Sequence, residues 1–163
     1  MKTTWISDIL EGKHDGQKVE LKGWVKRSRG SNKIRFVVLR DSTGSIQCVA
    51  KKDAVGEECF ENVKSALIES SLIIHGLANP DERADGGYEI IVQDVEIVGP
   101  VNPDTPFPIT ESAMVAADGG ETEFLLDNRH LYLRTTRMTT MLKLRSSVSV
   151  SYTHLRAHET CVH

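Results

Sequence analysis

Hydrophobic and polar positions change period along this chain. From Thr4 to Leu10 the apolar residues Trp5, Ile6, Ile9 and Leu10 fall on one helical face, with Ser7-Asp8 near a possible cap. From Lys18 the period is two. Val19, Leu21 and Val25 alternate with Glu20, Lys22, Trp24 and Lys26, which predicts a strand buried on one face. Arg29-Gly30-Ser31-Asn32 is turn chemistry, and Ile34 to Leu39 reads as a second strand. Asp41-Ser42-Thr43-Gly44 predicts a hairpin turn into a third strand, Ser45 to Ala50. Helical spacing returns between Gly56 and Leu67 with Phe60, Val63, Ala66 and Leu67. Ser71 to Ala78 predicts a fourth strand, and Asn79-Pro80-Asp81 with Asp85-Gly86-Gly87 a loop. Tyr88 to Val98 predicts a fifth strand, whose alternation slips at Gln93-Asp94 as a bulge would make it do.

Three strands, a helix and two strands within about 80 residues is the element order of an OB fold, a five-stranded Greek-key barrel that often binds oligonucleotides. Gly23 and Gly44 suit the tight bends of such a barrel. The fold class expected is therefore mainly β. Four of the five prolines, Pro100, Pro103, Pro106 and Pro108, lie close together and predict a stiff linker at a domain boundary. Beyond it come Gly119-Gly120 and a segment from Thr136 to Val148 with helical spacing of Met138, Met141, Leu142 and Leu144. The expected division is an OB barrel over 1–99, a linker over 100–133, the start of a second domain over 134–149, and a tail over 150–163.

Charge sharpens this picture. The 163-residue chain has a net charge of −3, yet residues 18–52 carry ten Lys and Arg against two acids. A basic block on strands within an acidic protein marks a local polyanion site, or else a solvated face whose cations pair with acids elsewhere. The composition, 39% hydrophobic and 26% charged, is that of an ordinary globular protein. There is no apolar run long enough for a membrane span and no apolar signal core at the N-terminus. Cys48, Cys59 and Cys161 fit neither a disulfide framework nor a zinc site, so a reducing, cytoplasmic setting is expected.

Residues 150–160, Val-Ser-Tyr-Thr-His-Leu-Arg-Ala-His-Glu-Thr, resemble one reading frame of a transposon-end adapter used to prepare DNA sequencing libraries. On that reading the natural sequence departs near Ser149. His154, His158, Cys161 and His163 then carry no functional weight, and the pair His154 and His158 lacks a third metal ligand in any case.

Gly23-Trp-Val-Lys-Arg27, Phe36-Val-Val-Leu-Arg-Asp41 and Gly44-Ser-Ile-Gln47 resemble the anticodon-binding OB domain of class II aminoacyl-tRNA synthetases of the Asp/Asn/Lys subgroup. Phe107-Pro-Ile-Thr110, Glu123-Phe-Leu-Leu-Asp-Asn-Arg-His-Leu-Tyr-Leu-Arg134 and Leu142-Lys-Leu-Arg-Ser-Ser147 narrow the resemblance to the asparaginyl-tRNA synthetases. Aspartyl enzymes are the near alternative. A stand-alone, non-enzymatic OB protein binding single-stranded nucleic acid is the alternative from another class. The resemblance covers about residues 3–148. It implies an ATP-dependent asparagine–tRNA ligase, with Mg²⁺ neutralising the phosphates, acting on asparagine and tRNA as a homodimer when full length. It also implies that 136–148 opens the first helix of a class II α/β catalytic domain. The motif 1 proline, the motif 2 arginine and the motif 3 Gly-Arg pair are missing from this chain, so no catalytic residue is assigned and this chain alone is expected to be inactive.

By pattern alone Phe36 reads as a core residue; the resemblance instead makes it the platform on which the central anticodon base stacks. Gln47 alternates with Ile46 and Cys48 and must face opposite to them. It is a strand-surface glutamine or, as the resemblance implies, an amide that reads the edge of uracil. Glu89 is a rim acid or, by resemblance, a reader of the first anticodon base. Lys22, Lys26, Arg27 and Arg29 are the candidate phosphate contacts, giving affinity and not base choice. Trp24 is a stacking platform or barrel packing, packing being favoured; Asp127 and Glu123 read as a solvated face or a helix cap, and His130 and Arg134 as structural residues of the hinge.

Overall fold

The computed structural model describes residues 4–109 and 122–159, the side chains of 157–159 excepted. Gly119-Gly120, Thr110, Cys161 and His163 lie outside the described residues. The elements are α1 (Ile6–Leu10), β1 (Lys18–Gly30), β2 (Ile34–Arg40), β3 (Ser45–Lys51), α2 (Lys52–Val55), α3 (Glu57–Ser65), β4 (Ser71–Pro80), β5 (Tyr88–Gly99), α4 (Thr122–Asp127), α5 (Arg129–Tyr132) and α6 (Thr136–Glu159). The chain divides into two compact units, residues 1–107 and 108–163.

The five strands close a barrel in the order β1-β2-β3-β5-β4. All pairings are antiparallel except β3 with β5. β1 is long enough to serve two neighbours: its first half pairs with β4 and its second half with β2. The period-two pattern becomes a two-faced wall. Val19, Leu21, Val25, Val37, Leu39, Ile46, Cys48, Leu72, Ile74 and Ile90 fill the interior, joined by Ile6 and Ile9 from α1 and Val63 from α3. The alternating charged positions are left outside.

Several boundaries differ from the sequence expectation, each for a cross-strand reason. Arg29 and Gly30 continue β1 because they pair with Phe36 and Arg35, so the turn begins at Ser31. Asn79 and Pro80 belong to β4, paired with Glu89 and Tyr88. The expected bulge is present: His75 pairs with Asp94 and Gly76 with Val92, which leaves Gln93 as the extra residue. Gly23 does allow a close approach, since a Cβ there would lie 2.4 Å from the Arg40 carbonyl oxygen. Gly44 instead sits beneath α1, near Ile6. Another close approach is at Gly76, where a Cβ would meet Ile90 and the Ile91 carbonyl oxygen at 2.5 Å.

α1 lacks a side-chain cap of its own; its N-cap residue is Trp5. The β2–β3 hairpin supplies the missing acceptors. Asp41 Oδ2 accepts from the Ile6 N–H at 3.0 Å and Thr43 Oγ1 from the Ser7 N–H at 3.1 Å. The other Asp41 oxygen closes the hairpin by accepting from the Thr43 and Gly44 N–H groups at 2.6 and 2.8 Å.

In the second unit, α4 buries Leu125, while Phe124, Leu126, Glu123 and Asp127 are exposed. The described part of α6 beyond Thr139 is exposed along its length. Among the described residues no helix is long and apolar enough to cross a membrane.

Candidate nucleic-acid interface

The outer face of β1, β2, β3 and β5 carries two adjoining rows of side chains. In one, Arg27 stands opposite Val38, Val38 opposite Gln47, and Gln47 opposite Glu89. In the next, Arg29 stands opposite Phe36, Phe36 opposite Val49, and Val49 opposite Ile91. Residues on one face of neighbouring strands are close enough to touch, so the rows form one patch. A cleft of about 350 Å³ opens over it, lined by Ile34, Phe36, Gln47, Val49, Lys51, Asp81, Arg83, Ala84 and Glu89.

Phe36 is half-buried, outside the barrel core, because it shares the outward parity of Ile34 and Val38. Gln47 faces outward between the inward Ile46 and Cys48. The Arg29 guanidinium lies over the Phe36 ring, 5.6 Å from its centroid, and donates to Gln47 Oε1 at 3.3 Å. Glu89 Oε1 accepts from Asn79 Nδ2 at 3.4 Å, a contact across the β4–β5 pair.

The β4–β5 loop forms a further wall. Its Asp81 N–H donates to the Gly87 carbonyl, and Arg83 binds the Asp81 carboxylate through Nε at 3.1 Å and Nη2 at 3.0 Å. That guanidinium holds the Asp81 carboxyl below the usual carboxylate range. Asp81, Arg83, Lys51 and Asn79 were absent from the candidates read off the sequence. Lys51 was visible only as one cation in the basic block, and nothing local marks Arg83, which reaches the cleft because the loop folds back toward β3.

Of the four expected phosphate-binding cations, Arg27 and Arg29 stand on this patch. Lys26 is the bulged residue of β1, without a cross-strand partner there, since Val25 pairs with Leu39 and Arg27 with Val38. Lys22 lies in the half of β1 paired with β4, away from the cleft, and its ammonium is 3.1 Å from Glu20. Arg40 and Lys52 are likewise bound to acids, Glu69 and Glu57. Within the basic block, Lys51 lines the cleft and Arg29 borders it, whereas Lys22, Arg40 and Lys52 face acids elsewhere. Trp24 departs from the packing reading. Its side chain is on the outside, 43% exposed, with the Arg40 guanidinium 6.0 Å from the ring centroid. β1 points it outward by the same alternation that buries Val25.

An aromatic ring, an amide, a carboxylate and a rim of cations on one strand face can stack a base, bind its edge and neutralise its phosphates. Residues 19–98 match a family described as an OB-fold nucleic acid binding domain. An asparagine–tRNA ligase of Thermoplasma acidophilum is 42% identical over 147 residues, 90% of this chain and 32% of that protein. One from Symbiobacterium thermophilum is 40% identical over the same shares. The solved asparaginyl-tRNA synthetase of Pyrococcus horikoshii, complexed with asparaginyl-adenylate, has a TM-score of 0.82 at 33% identity, over 98% of this chain and 35% of that one. This chain spans about a third of the length of these relatives.

Proposed function

We propose, from the premise that the chain belongs through residues 19–98 to the OB-fold nucleic acid binding domains and is a relative of the asparagine–tRNA ligases, that its barrel binds the anticodon loop of tRNA. The observation that carries the reading is the convergence of Phe36, Gln47 and Glu89 on one cleft, with Arg29 at its edge. Phe36 stacks the central base, Gln47 binds that base's edge, Glu89 takes the first base, and Arg27, Arg29 and Lys26 meet phosphates. Lys22 is left out of this set because of its place beside Glu20.

The whole protein, in this reading, is a cytoplasmic homodimer that activates asparagine with ATP and transfers it to tRNA. The division proposed is an anticodon barrel over 1–99, a hinge over 100–133 and the start of a class II catalytic domain over 134–149, with 150–163 set apart as the adapter-like tail. ATP and Mg²⁺ belong to the catalytic domain. Among the described residues no group of three or more His, Cys, Asp or Glu is placed to bind a metal.

The test is an anticodon stem-loop carrying guanine-uracil-uracil, compared with one whose central uracil is cytosine. Phe36→Ala removes the platform and lowers affinity for both by about 1–3 kcal/mol. Gln47→Ala costs less but narrows the difference between the two, since it removes an edge contact. If neither substitution changes affinity or base preference, the assignment of this face is wrong. A generic single-strand-binding barrel would bind an unstructured strand as well as the stem-loop at matched salt.

A further inference from the structure

One wall of the cleft is held in place by a stretch of chain that lines none of it. Asp81, Arg83 and Ala84 reach the cleft from the β4–β5 loop, and Glu89 follows that loop as the second residue of β5. The loop closes on itself. The Asp81 N–H donates to the Gly87 carbonyl at 3.0 Å, the Ala84 N–H to the Asp81 carbonyl at 3.0 Å and the Gly87 N–H to the Ala84 carbonyl at 2.9 Å. These bonds fix the shape of the loop but not its position over the barrel. Position comes from residues 10–17. The half-buried Leu10 side chain packs so closely on Gly86 that a Cβ there would lie 2.8 Å from Leu10 Cδ2. Leu10 Cδ1 is 3.8 Å from the equivalent point on Gly44, so the same side chain also touches the β2–β3 turn. Gly12 faces Tyr88, whose hydroxyl oxygen would be 3.1 Å from a Cβ at that glycine. The Gly16 N–H donates to the Ala78 carbonyl, and the Ala78 N–H to the Gln17 carbonyl, both at 3.0 Å. The tip and both feet of the β4–β5 hairpin therefore rest on one short segment. Ala78 and Tyr88 are the immediate neighbours of Asn79 and Glu89, which bond to each other across the strands.

We propose that Leu10 is a positioning residue for base recognition: wedged between the β2–β3 turn and the β4–β5 loop, it sets how far that loop closes over the Glu89 side of the cleft. The inference rests on the anticodon-loop reading and adds to it a residue that touches no RNA. A hydrogen bond weakens steeply as its angle departs from linear, so a wall that reads a base edge has to be held within about 0.5 Å. The Phe36 ring depends on other supports, since its strand pairs with β1 and β3 and not with the loop. Loss of the wedge therefore changes choice at the first base and leaves choice at the central base as it was.

The probes are three anticodon stem-loops: guanine-uracil-uracil, the same loop with adenine in place of the first guanine, and the same loop with cytosine in place of the central uracil. Their affinities for the 163-residue chain are measured at one salt concentration, well below the unfolding temperature. In Leu10→Ala the preference for guanine over adenine falls about two- to thirty-fold. The preference for uracil over cytosine stays at the parent value. A mere loss of folded protein would weaken all three probes by one factor and leave both preferences intact. Leu10→Met fills the same space and retains both. Gly86→Ala pushes the loop off Leu10 from the opposite side without opening the core, and it narrows the first-base preference as well. It provides the reading if Leu10→Ala does not fold. Hydrogen exchange at the Ala84 and Gly87 amides accelerates in Leu10→Ala relative to the middle of β2. If the first-base preference is unaltered, if both preferences fall together, or if loop exchange does not accelerate, Leu10 does not position the wall. If the parent binds all three stem-loops equally, the fault lies instead in the anticodon assignment of this face.

Discussion

Single residues in this barrel behave according to the face that the strand alternation gives them. Gln47 and Cys48 are neighbours with opposite fates: the amide looks out over the cleft, while the thiol is fully buried. Burial pushes the Cys48 thiol up to about 12 from an ordinary value of 9.0, because the apolar interior penalises the thiolate. The consequence for stability follows from where the proton is held. Above pH 9 the unfolded chain releases the Cys48 proton and the folded chain retains it. Stability due to this group is therefore complete below pH 9 and declines between pH 9 and about 12, by at most about 1.4 kcal/mol per pH unit. Urea unfolding of the parent and Cys48→Ala at pH 8, 9.5 and 10.5 checks this: the parent loses stability more steeply over the upper two values. The same burial makes Cys48 unreactive toward thiol reagents at pH 8 until the barrel opens.

Elements here are stable through their neighbours. α1 has five residues, too short to persist alone in water. It is held by burial of Ile6 and Ile9 and by the carboxylate of Asp41, 35 positions ahead of the Ile6 N–H it accepts from. One side chain thus caps a helix and closes a hairpin. Asp41→Ala leaves the Ile6, Thr43 and Gly44 N–H groups without that acceptor and should cost about 2 kcal/mol. Asp41→Asn keeps one acceptor oxygen and should cost less. Thermal unfolding of both variants measures the difference. Hydrogen exchange at the Ile6 amide should accelerate in Asp41→Ala more than exchange in the middle of β4. Equal acceleration at both places would mean that Asp41 acts on the whole barrel and not through this cap.

For the whole molecule, the distribution of charge matters more than its total. A chain of net charge −3 presents Arg29 and Lys51 at one cleft, with Arg27 on the same strand face, and has Lys22, Arg40 and Lys52 facing acids elsewhere. Binding of a single-stranded anticodon loop should follow that partition. Arg27→Ala should lower the slope of log affinity against log salt by about 0.7, the value for one phosphate contact on a single strand, while Lys22→Ala should leave it unchanged. Binding curves at three salt concentrations give both numbers. Equal effects would mean that the barrel attracts RNA through its overall field and not through this face. The proposed division of the chain makes one further prediction. Asparagine-dependent ATP–pyrophosphate exchange by the 163-residue protein should stay at background, because the motif 2 and motif 3 arginines of the resembling family are not in its sequence. Exchange above background would overturn the assignment of catalysis to another part of the whole enzyme.

The barrel was legible in the sequence because its signal is local. A period of two specifies a strand and which of its faces is buried, and a slip in that period at Gln93-Asp94 marks the bulge where Gln93 is extra. Gln47 could be chosen from strand parity, and Phe36 and Glu89 from family motifs, though an aromatic residue within an apolar run reads as core at Phe36 until its outward parity is seen. Pairing between distant strands determined the rest. Only closure of β3 against β5 puts Gln47 beside Glu89, and only the β4–β5 loop brings Asp81 and Arg83 to the same cleft. The cations show the limit most plainly. In the sequence Lys22 and Arg29 are members of one basic run, seven residues apart. In the fold β1 changes partner between them, so Lys22 lies over β4 beside Glu20 while Arg29 lies over Phe36. Local sequence determines which way a side chain points; which neighbours it meets depends on strand pairings formed across long separations, and those were decided only when the barrel closed.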